Sequence, residues 1–464
     1  MSDYNKGERM EQTSQIRENT APVYLMDLII ENIRCFRERQ TLDLSDGNGR
    51  PAHWTILLGD NGTGKTTLLQ CLMGLAPSSD YTFQAPNVEQ MTIPASFYLD
   101  EYINLMVCDR GESKIGTSNY YLGFLNSYKP EKLNGFIVKC RENNMAIKSI
   151  NSQPLFLPVK RIKNLTIYAY GASRRMGTGS LSEIRNFDNA ASLLSDDVVL
   201  INAEEWLLQA DFAVKSADDE NKAYFENRFD KVKELLTNLL PDAEDIRIKP
   251  ITKAQKKPAI EIRTPYGWVG LKDLSLGYQT LTAWMVDLAN RLFERYPEKE
   301  NPLSEPAIVL VDEIDLHLHP KWQRTLIRHL TDIFRQTQFV VTAHSPLIVQ
   351  SAQGANIVLL RREGDQVVIL NDNDDDIIRG WRLDQVITSD LFDLPSARPA
   401  EYDEFLEERE RILAKPQLSQ EDKQRLEEVG RKLEELPLVT KNREDSEAMD
   451  IIRKAADMLK GKVK

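Results

Sequence analysis

Eight consecutive residues, Gly59-Asp60-Asn61-Gly62-Thr63-Gly64-Lys65-Thr66, fill the spacing G-x-x-x-x-G-K-[ST]. Glycines so placed let backbone amides turn inward around phosphate oxygens. The helix that follows adds the positive end of its dipole. In such a loop the Lys65 ammonium reaches the β- and γ-phosphates of a nucleotide, and the Thr66 hydroxyl ligates Mg2+. The flanks agree, since the apolar run Trp54-Thr55-Ile56-Leu57-Leu58 enters the loop and helical sequence from Lys65 to Met73 leaves it. The residues expected to bind ATP are therefore Gly59, Asp60, Asn61, Gly62, Thr63, Gly64, Lys65, Thr66 and Thr67.

A second stretch, Ile308-Val309-Leu310-Val311-Asp312-Glu313, is an apolar strand that ends in two carboxylates. Desolvated carboxylates are costly unless a cation or hydrogen bonds meet them. Downstream of a phosphate loop, Asp312 is expected to hold Mg2+ through water. Glu313 is expected to orient and deprotonate the attacking water.

Two further motifs follow the same order. Leu274-Ser275-Leu276-Gly277-Tyr278-Gln279 stands at a helix start, where a hydroxyl, a glycine amide and the dipole make an anion site. Phe339-Val340-Val341-Thr342-Ala343-His344-Ser345-Pro346 is a strand that ends in histidine. Together the four motifs resemble those of the ABC ATPase superfamily. That resemblance implies that Ser275 and Gly277 cap the γ-phosphate bound to an opposite subunit. It also implies that His344 contacts the γ-phosphate and the water, and that Asp315 lies in a short loop crossing the dimer interface. The implied catalytic set is Glu313, His344 and Lys65. Arg34, in Asn32-Ile33-Arg34-Cys35-Phe36, resembles the N-F-R-x-F stretch that the RecF, Rad50 and SMC branch places near the nucleotide. Tyr168 to Arg174 occupies the region of that superfamily's glutamine loop, yet no glutamine begins it.

The interval between Lys65 and Ser275 shows no sustained heptads and has no room for the long coiled coil of Rad50 and SMC proteins. L-S-x-G-Y-Q, V-D-E-I-D-L-H-L-H-P and V-V-T-A-H-S-P-L instead resemble the stand-alone ATPases of bacterial defence systems. That group includes the overcoming-lysogenization-defect, PARIS and Septu ATPases. The tail from Gly380 to Phe392, with the charged helices after it, resembles the Septu ATPases (PtuA) most. The resemblance implies a cytoplasmic protein using ATP and Mg2+ that assembles with itself and with a separate HNH nuclease (PtuB-like). Its nucleotide state would license or restrain cleavage of DNA. A PARIS-type sensor with a TOPRIM partner, a RecF-like repair ATPase, a slow scaffold and a self-contained nuclease using Asp374 remain open.

Strands that alternate with helices predict an α/β fold, an ABC ATPase head whose mixed sheet carries the phosphate loop. The expected organisation is a disordered tail over 1–22, an N-terminal lobe over 23–78 and an inserted α/β and helical arm over 79–245. A C-terminal ATPase lobe follows over 246–385, then a charged helical tail over 386–464 that is the candidate partner surface.

The 464 residues carry a formal charge of −12 and are 41% hydrophobic, enough for a large core. An acidic chain is not held to nucleic acid by its net field. The groups Lys160, Arg161, Lys163 and Lys253, Lys256, Lys257 read as solvated surface. No apolar run has the roughly 20 residues needed to span a bilayer, and the N-terminus has no secretory h-region. Cys35, Cys71, Cys108 and Cys140 have no zinc spacing. His317 and His319 have no third ligand nearby, and Glu363-Gly364-Asp365 reads as a hairpin turn ahead of the acidic run 371–376.

Overall fold

The computed structural model describes residues 22–31, 34–73, 167–178, 191–253 except 194, 257–372, and 381–434 except 393, 395, 398 and 416. Five strand segments between 82 and 143 are described by their backbone. Residues 1–21, Asn32, Cys108, the group Lys160, Arg161, Lys163, Lys256, Asp374 and the helix expected over 445–460 lie outside the described residues. The chain divides into two compact units, Met1–Val386 and Ile387–Lys464.

The first unit begins with β1 (Val23–Glu31), β2 (Gln40–Asp43), β3 (Trp54–Gly59) and α1 (Lys65–Met73). The short strands β4 (Thr82–Phe83) and β5 (Met91–Thr92) precede β6 (Asn104–Val107), β7 (Thr117–Leu125), β8 (Gly135–Asn143) and β9 (Ile167–Tyr170). Two helices, α2 (Ala203–Ser216) and α3 (Lys222–Leu239), lead to β10 (Asp245–Lys249), β11 (Ala259–Thr264) and β12 (Gly267–Gly270). Then come α4 (Leu276–Arg295), β13 (Ala307–Val311), α5 (Pro320–Ile333), β14 (Thr337–Thr342) and α6 (Pro346–Ser351). The hairpin β15 (Asn356–Glu363) and β16 (Gln366–Asp372) follows, with α7 (Leu383–Ile387) after it.

A six-stranded sheet in the order β16-β15-β3-β14-β13-β9 carries the strand ends at Gly59, Val311 and Thr342. Its strands β15, β3, β14, β13 and β9 run parallel, and β16 folds back antiparallel. Every residue of β13, β14 and β9 is buried, as strands covered on both faces should be. Trp54 of β3 stacks on Phe339 of β14 with ring centroids 4.2 Å apart.

The sequence boundary at 79–245 does not follow the sheets. Within that interval β8 pairs antiparallel with β1, giving a second sheet in the order β2-β1-β8-β7-β6. Strand β9 from the same interval instead pairs parallel with β13 at the edge of the first sheet. Buried backbone groups must be paired, and these strands find their partners far away in sequence. Local pattern cannot show that.

Side-chain amides lock the two sheets together. Gln338, only 1% exposed, donates through Nε2 to the Leu25 carbonyl at 2.8 Å and accepts the Leu25 N–H through Oε1 at 2.8 Å. Asn371 accepts the Asp43 N–H at 2.9 Å and donates to the Thr41 carbonyl at 2.8 Å, so it braces β2. Gly364 makes the β15–β16 turn at φ 63°, as the sequence predicts. In the second unit, helices α8 (Asp403–Leu413) and α9 (Gln420–Glu434) are joined by Arg425 on Glu408 at 2.7 and 2.9 Å.

Candidate active site

The site forms where the parallel strands end. In register, Val311 of β13 lies beside both Val341 of β14 and Tyr170 of β9. Thr342 lies beside Leu57 of β3. The loops after β3, β13, β14 and β9 therefore leave the sheet along one edge, the edge where open α/β sheets bind ligands.

The loop after β3 wraps back on itself. Gly62 and Gly64 sit at φ 80° and 86°, and a Cβ on Gly64 would lie 2.6 Å from the Cys35 sulfur and 2.7 Å from the Phe36 ring. Only glycine allows both that turn and that close approach. Lys65 Nζ donates to the carbonyls of Gly59 at 2.7 Å and Asp60 at 2.8 Å. Burial lowers the Lys65 pKa from its usual value, and the charges of Asp312, Glu313, Asp60 and Asp315 work against that shift. Thr63 is buried and donates to the Asp60 carbonyl, whereas Asp60 and Asn61 are exposed.

Thr66 and Asp312, far apart in sequence, meet through Thr66 Oγ1 and Asp312 Oδ2 at 2.7 Å. A hydroxyl and a nearly buried carboxylate in contact at a phosphate loop form the donor set of hard oxygens that Mg2+ prefers. Among the described residues there is no other group of His, Cys, Asp and Glu able to hold a metal. His319 serves as a helix cap, its Nδ1 accepting the Lys321 N–H at 3.2 Å.

Glu313 is half-buried and holds φ 48°, a region that non-glycine residues rarely enter. Its N–H donates to Thr342 Oγ1 at 2.7 Å, and that hydroxyl donates to Asp312 Oδ1 at 2.6 Å. Arg174, 2% exposed, donates to the carbonyls of Gly171 at 2.8 Å, Asp312 at 2.5 Å and Glu313 at 2.7 Å. Neither Thr342 nor Arg174 receives a role from sequence reasoning. Both stand inside stretches singled out there, but nothing in residue type shows what they would touch.

His344 is exposed at the end of β14, with its N–H donating to the Asp315 carboxylate at 3.1 Å. Asp315 thus holds the histidine loop within its own chain. Arg34 donates to Thr67 Oγ1 at 3.0 Å and to Gln70 at 3.1 Å, bracing the first turns of α1. Ser275 caps α4 in an exposed position and its side chain makes no capping hydrogen bond. Gly277 is buried, and a Cβ there would lie 2.3 Å from the His317 carbonyl, so its small size has a packing reason inside the chain.

Residues 158–350 match the family described as "AAA domain, putative AbiEii toxin, Type IV TA system", and residues 27–76 match a second described as "AAA domain". The Septu protein PtuA of Bacillus mycoides is 25% identical over 88% of this chain and 50% of its own length. The chain is similar to PtuA over most of its length, and its phosphate-loop and strand-end segments match AAA-domain models. The chain is also 26% identical to the "Retron Vc95 probable ATPase" of Vibrio cholerae, over 66% of this chain and 68% of that one. The chain spans half the length of the PtuA relative it matches. The SMC head domain from Thermotoga maritima aligns at 15% identity and TM-score 0.36, covering 75% of this chain and 98% of that one. Among the described residues no helix is long and apolar enough to cross a membrane.

Proposed function

We propose that this chain binds and hydrolyses ATP as a subunit of a bacterial anti-phage defence complex, and that its nucleotide-dependent dimerisation controls a separate HNH nuclease. The observation that carries the reading is the 2.7 Å contact between Thr66 and Asp312, with Glu313 next in the chain. It joins the phosphate loop to the acidic strand end in one place. The similarity to a Septu protein and a retron ATPase supports a role in defence.

Thr66 and Asp312 would hold Mg2+, which supplies positive charge at the β- and γ-phosphates when bound. Lys65 trades its two carbonyls for phosphate oxygens. Glu313 accepts a proton from water as the water oxygen bonds to the γ-phosphorus. The bond from that phosphorus to the bridging oxygen breaks, and ADP and phosphate leave. His344 steadies the water and the γ-phosphate, while Ser275 and Gly277 of a second copy close the pocket from the other side.

The test is phosphate release by the purified chain with Mg-ATP, together with DNA cleavage by an HNH protein encoded beside it, the absence of such a gene counting against the partner assignment. Glu313→Gln is expected to keep ATP binding and lose turnover by roughly 100-fold or more. The wild-type chain is expected to alter cleavage by its nuclease in a nucleotide-dependent way. Equal turnover in the variant removes Glu313 from the chemistry. Nuclease activity indifferent to chain and nucleotide removes the partner assignment.

A further inference from the structure

Arg174 is a buried cation held directly by backbone carbonyls, with the charges of Asp312, Glu313 and Asp315 near enough to favour its protonated form. Its three hydrogen bonds go to backbone carbonyls, and among the described residues no carboxylate forms an ion pair with it and its Nε has no partner. Burying a guanidinium so is costly, and a loop needing only a donor could use a neutral side chain. Two of its acceptors are the carbonyls of Asp312 and Glu313 themselves. Glu313 is thereby gripped on both sides, through its carbonyl by Arg174 and through its N–H by Thr342. Between those grips the backbone stands at φ 48°, a conformation that persists only when its surroundings over-determine it.

The planar fork of arginine suits this task, since two nitrogens in fixed geometry can span successive carbonyls. The rest of the side chain is anchored too. Its Cζ lies 5.9 Å from the Trp284 ring centroid, and Trp284 sits on α4, the helix that Ser275 caps. Tyr170, whose carbonyl accepts the Asp312 N–H at 2.8 Å, is bound through its hydroxyl to Asp287 of the same helix at 2.9 Å. The peptide that carries both carboxylates is therefore seated on α4 through Arg174 and Tyr170.

We propose that Arg174 is the positioning residue for Glu313: its guanidinium fixes the Asp312–Glu313 peptide in the left-handed turn that aims the Glu313 carboxylate at the attacking water. This rests on the reading of the chain as an ATPase with Glu313 as base. In this role Arg174 acts through the peptide it holds, by its hydrogen bonds to the carbonyls of Asp312 and Glu313.

The test compares Arg174→Lys, which keeps the charge but loses the fork, with Arg174→Met, in the full chain. With Mg-ATP, Arg174→Lys is expected to lower kcat by about tenfold or more while KM stays within about twofold. In a Glu313→Gln background it is expected to add less than about twofold, because both changes act on one group. A raised KM with kcat held, or a full additional loss in the double variant, overturns the proposal. A structural role alone would shift the melting temperature without that pattern. Crystal structures of the two variants supply a readout independent of turnover. Glu313 is expected to leave positive φ, and an unmoved Glu313 overturns the proposal even if the wild-type chain proves inactive. Should Arg174→Met fail to fold, Arg174→Lys alone decides. A wild-type chain that releases no phosphate refutes the ATPase reading, and the Glu313 backbone then still decides the role of Arg174.

Discussion

The hydroxyl of Thr342 is shared between two residues of the acidic strand end, donating to Asp312 Oδ1 at 2.6 Å while accepting the Glu313 N–H at 2.7 Å. Thr342 is fully buried, so neither bond can be replaced by water. Thr342→Val keeps the shape and removes both bonds. Stability is expected to fall by about 1–3 kcal/mol, the cost of leaving buried polar groups unpaired. Turnover should fall with it and Thr342→Ser should restore most of both, as read from urea midpoints and phosphate release. Unchanged values in Thr342→Val would show that the hydroxyl is incidental.

Ser275 and the apolar Leu276 beside it are exposed at the start of α4, with Leu276 54% exposed. An arginine at Ser275 fits the free chain without strain but obstructs a second copy that closes over ATP. Ser275→Arg is expected to bind ATP as the wild type does, to stay monomeric with a non-hydrolysable analogue and to release no phosphate. Light scattering and a phosphate assay check this. Full activity in a monomeric variant contradicts a shared pocket.

Gly277 presses against the His317 carbonyl, where an added Cβ would lie 2.3 Å away. Backbone cannot yield as a flexible side chain does, so Gly277→Ala must push the 315–317 loop. Overpacking of this kind costs about 1–3 kcal/mol. A lowered melting temperature is expected with nucleotide absent, which separates this packing role from any contact with phosphate. A variant as stable as the parent would leave only the phosphate role.

His53 lies beside the stacked rings of Trp54 and Phe339, 6.3 Å from each ring centroid, with Nε2 3.0 Å from the Phe334 carbonyl. Burial lowers its pKa below the usual 6.5. The unfolded chain therefore takes up the proton first as pH falls. The contribution of His53 to stability is complete above about pH 6.5 and is lost as pH drops from there towards the folded value. The urea midpoint should fall between pH 7.5 and 5.5, with a shallower fall in His53→Gln. Equal slopes would place the titrating group elsewhere.

Residue type and order carried much of this site. A loop with glycines, Lys65 and Thr66 has few uses other than phosphate, and it folds locally because strand, turn and helix are consecutive. The strand end at Asp312 was equally legible, since a fully apolar run that stops in two carboxylates marks its own boundary. Of the histidine pair 317 and 319, His319 caps α5 through Nδ1.

What sequence reasoning missed lay in pairings between distant segments. Residues 79–245 read as one inserted arm, yet β8 joins the five-stranded sheet and β9 the six-stranded one. Strand pairing is made by backbone groups that every residue carries, so composition does not reveal the partner. Gln338 looked like an ordinary strand residue until its amide was found bonded to both backbone groups of Leu25.

Sequence alone determined the chemistry available, namely a phosphate loop, two carboxylates and a histidine, because each is written in a short stretch whose local structure follows from its own residues. Only the tertiary structure decided how those groups are held. The contacts of Thr342 and Arg174 with the Asp312–Glu313 peptide arise from four strands that end side by side, and that adjacency depends on packing across the whole sheet.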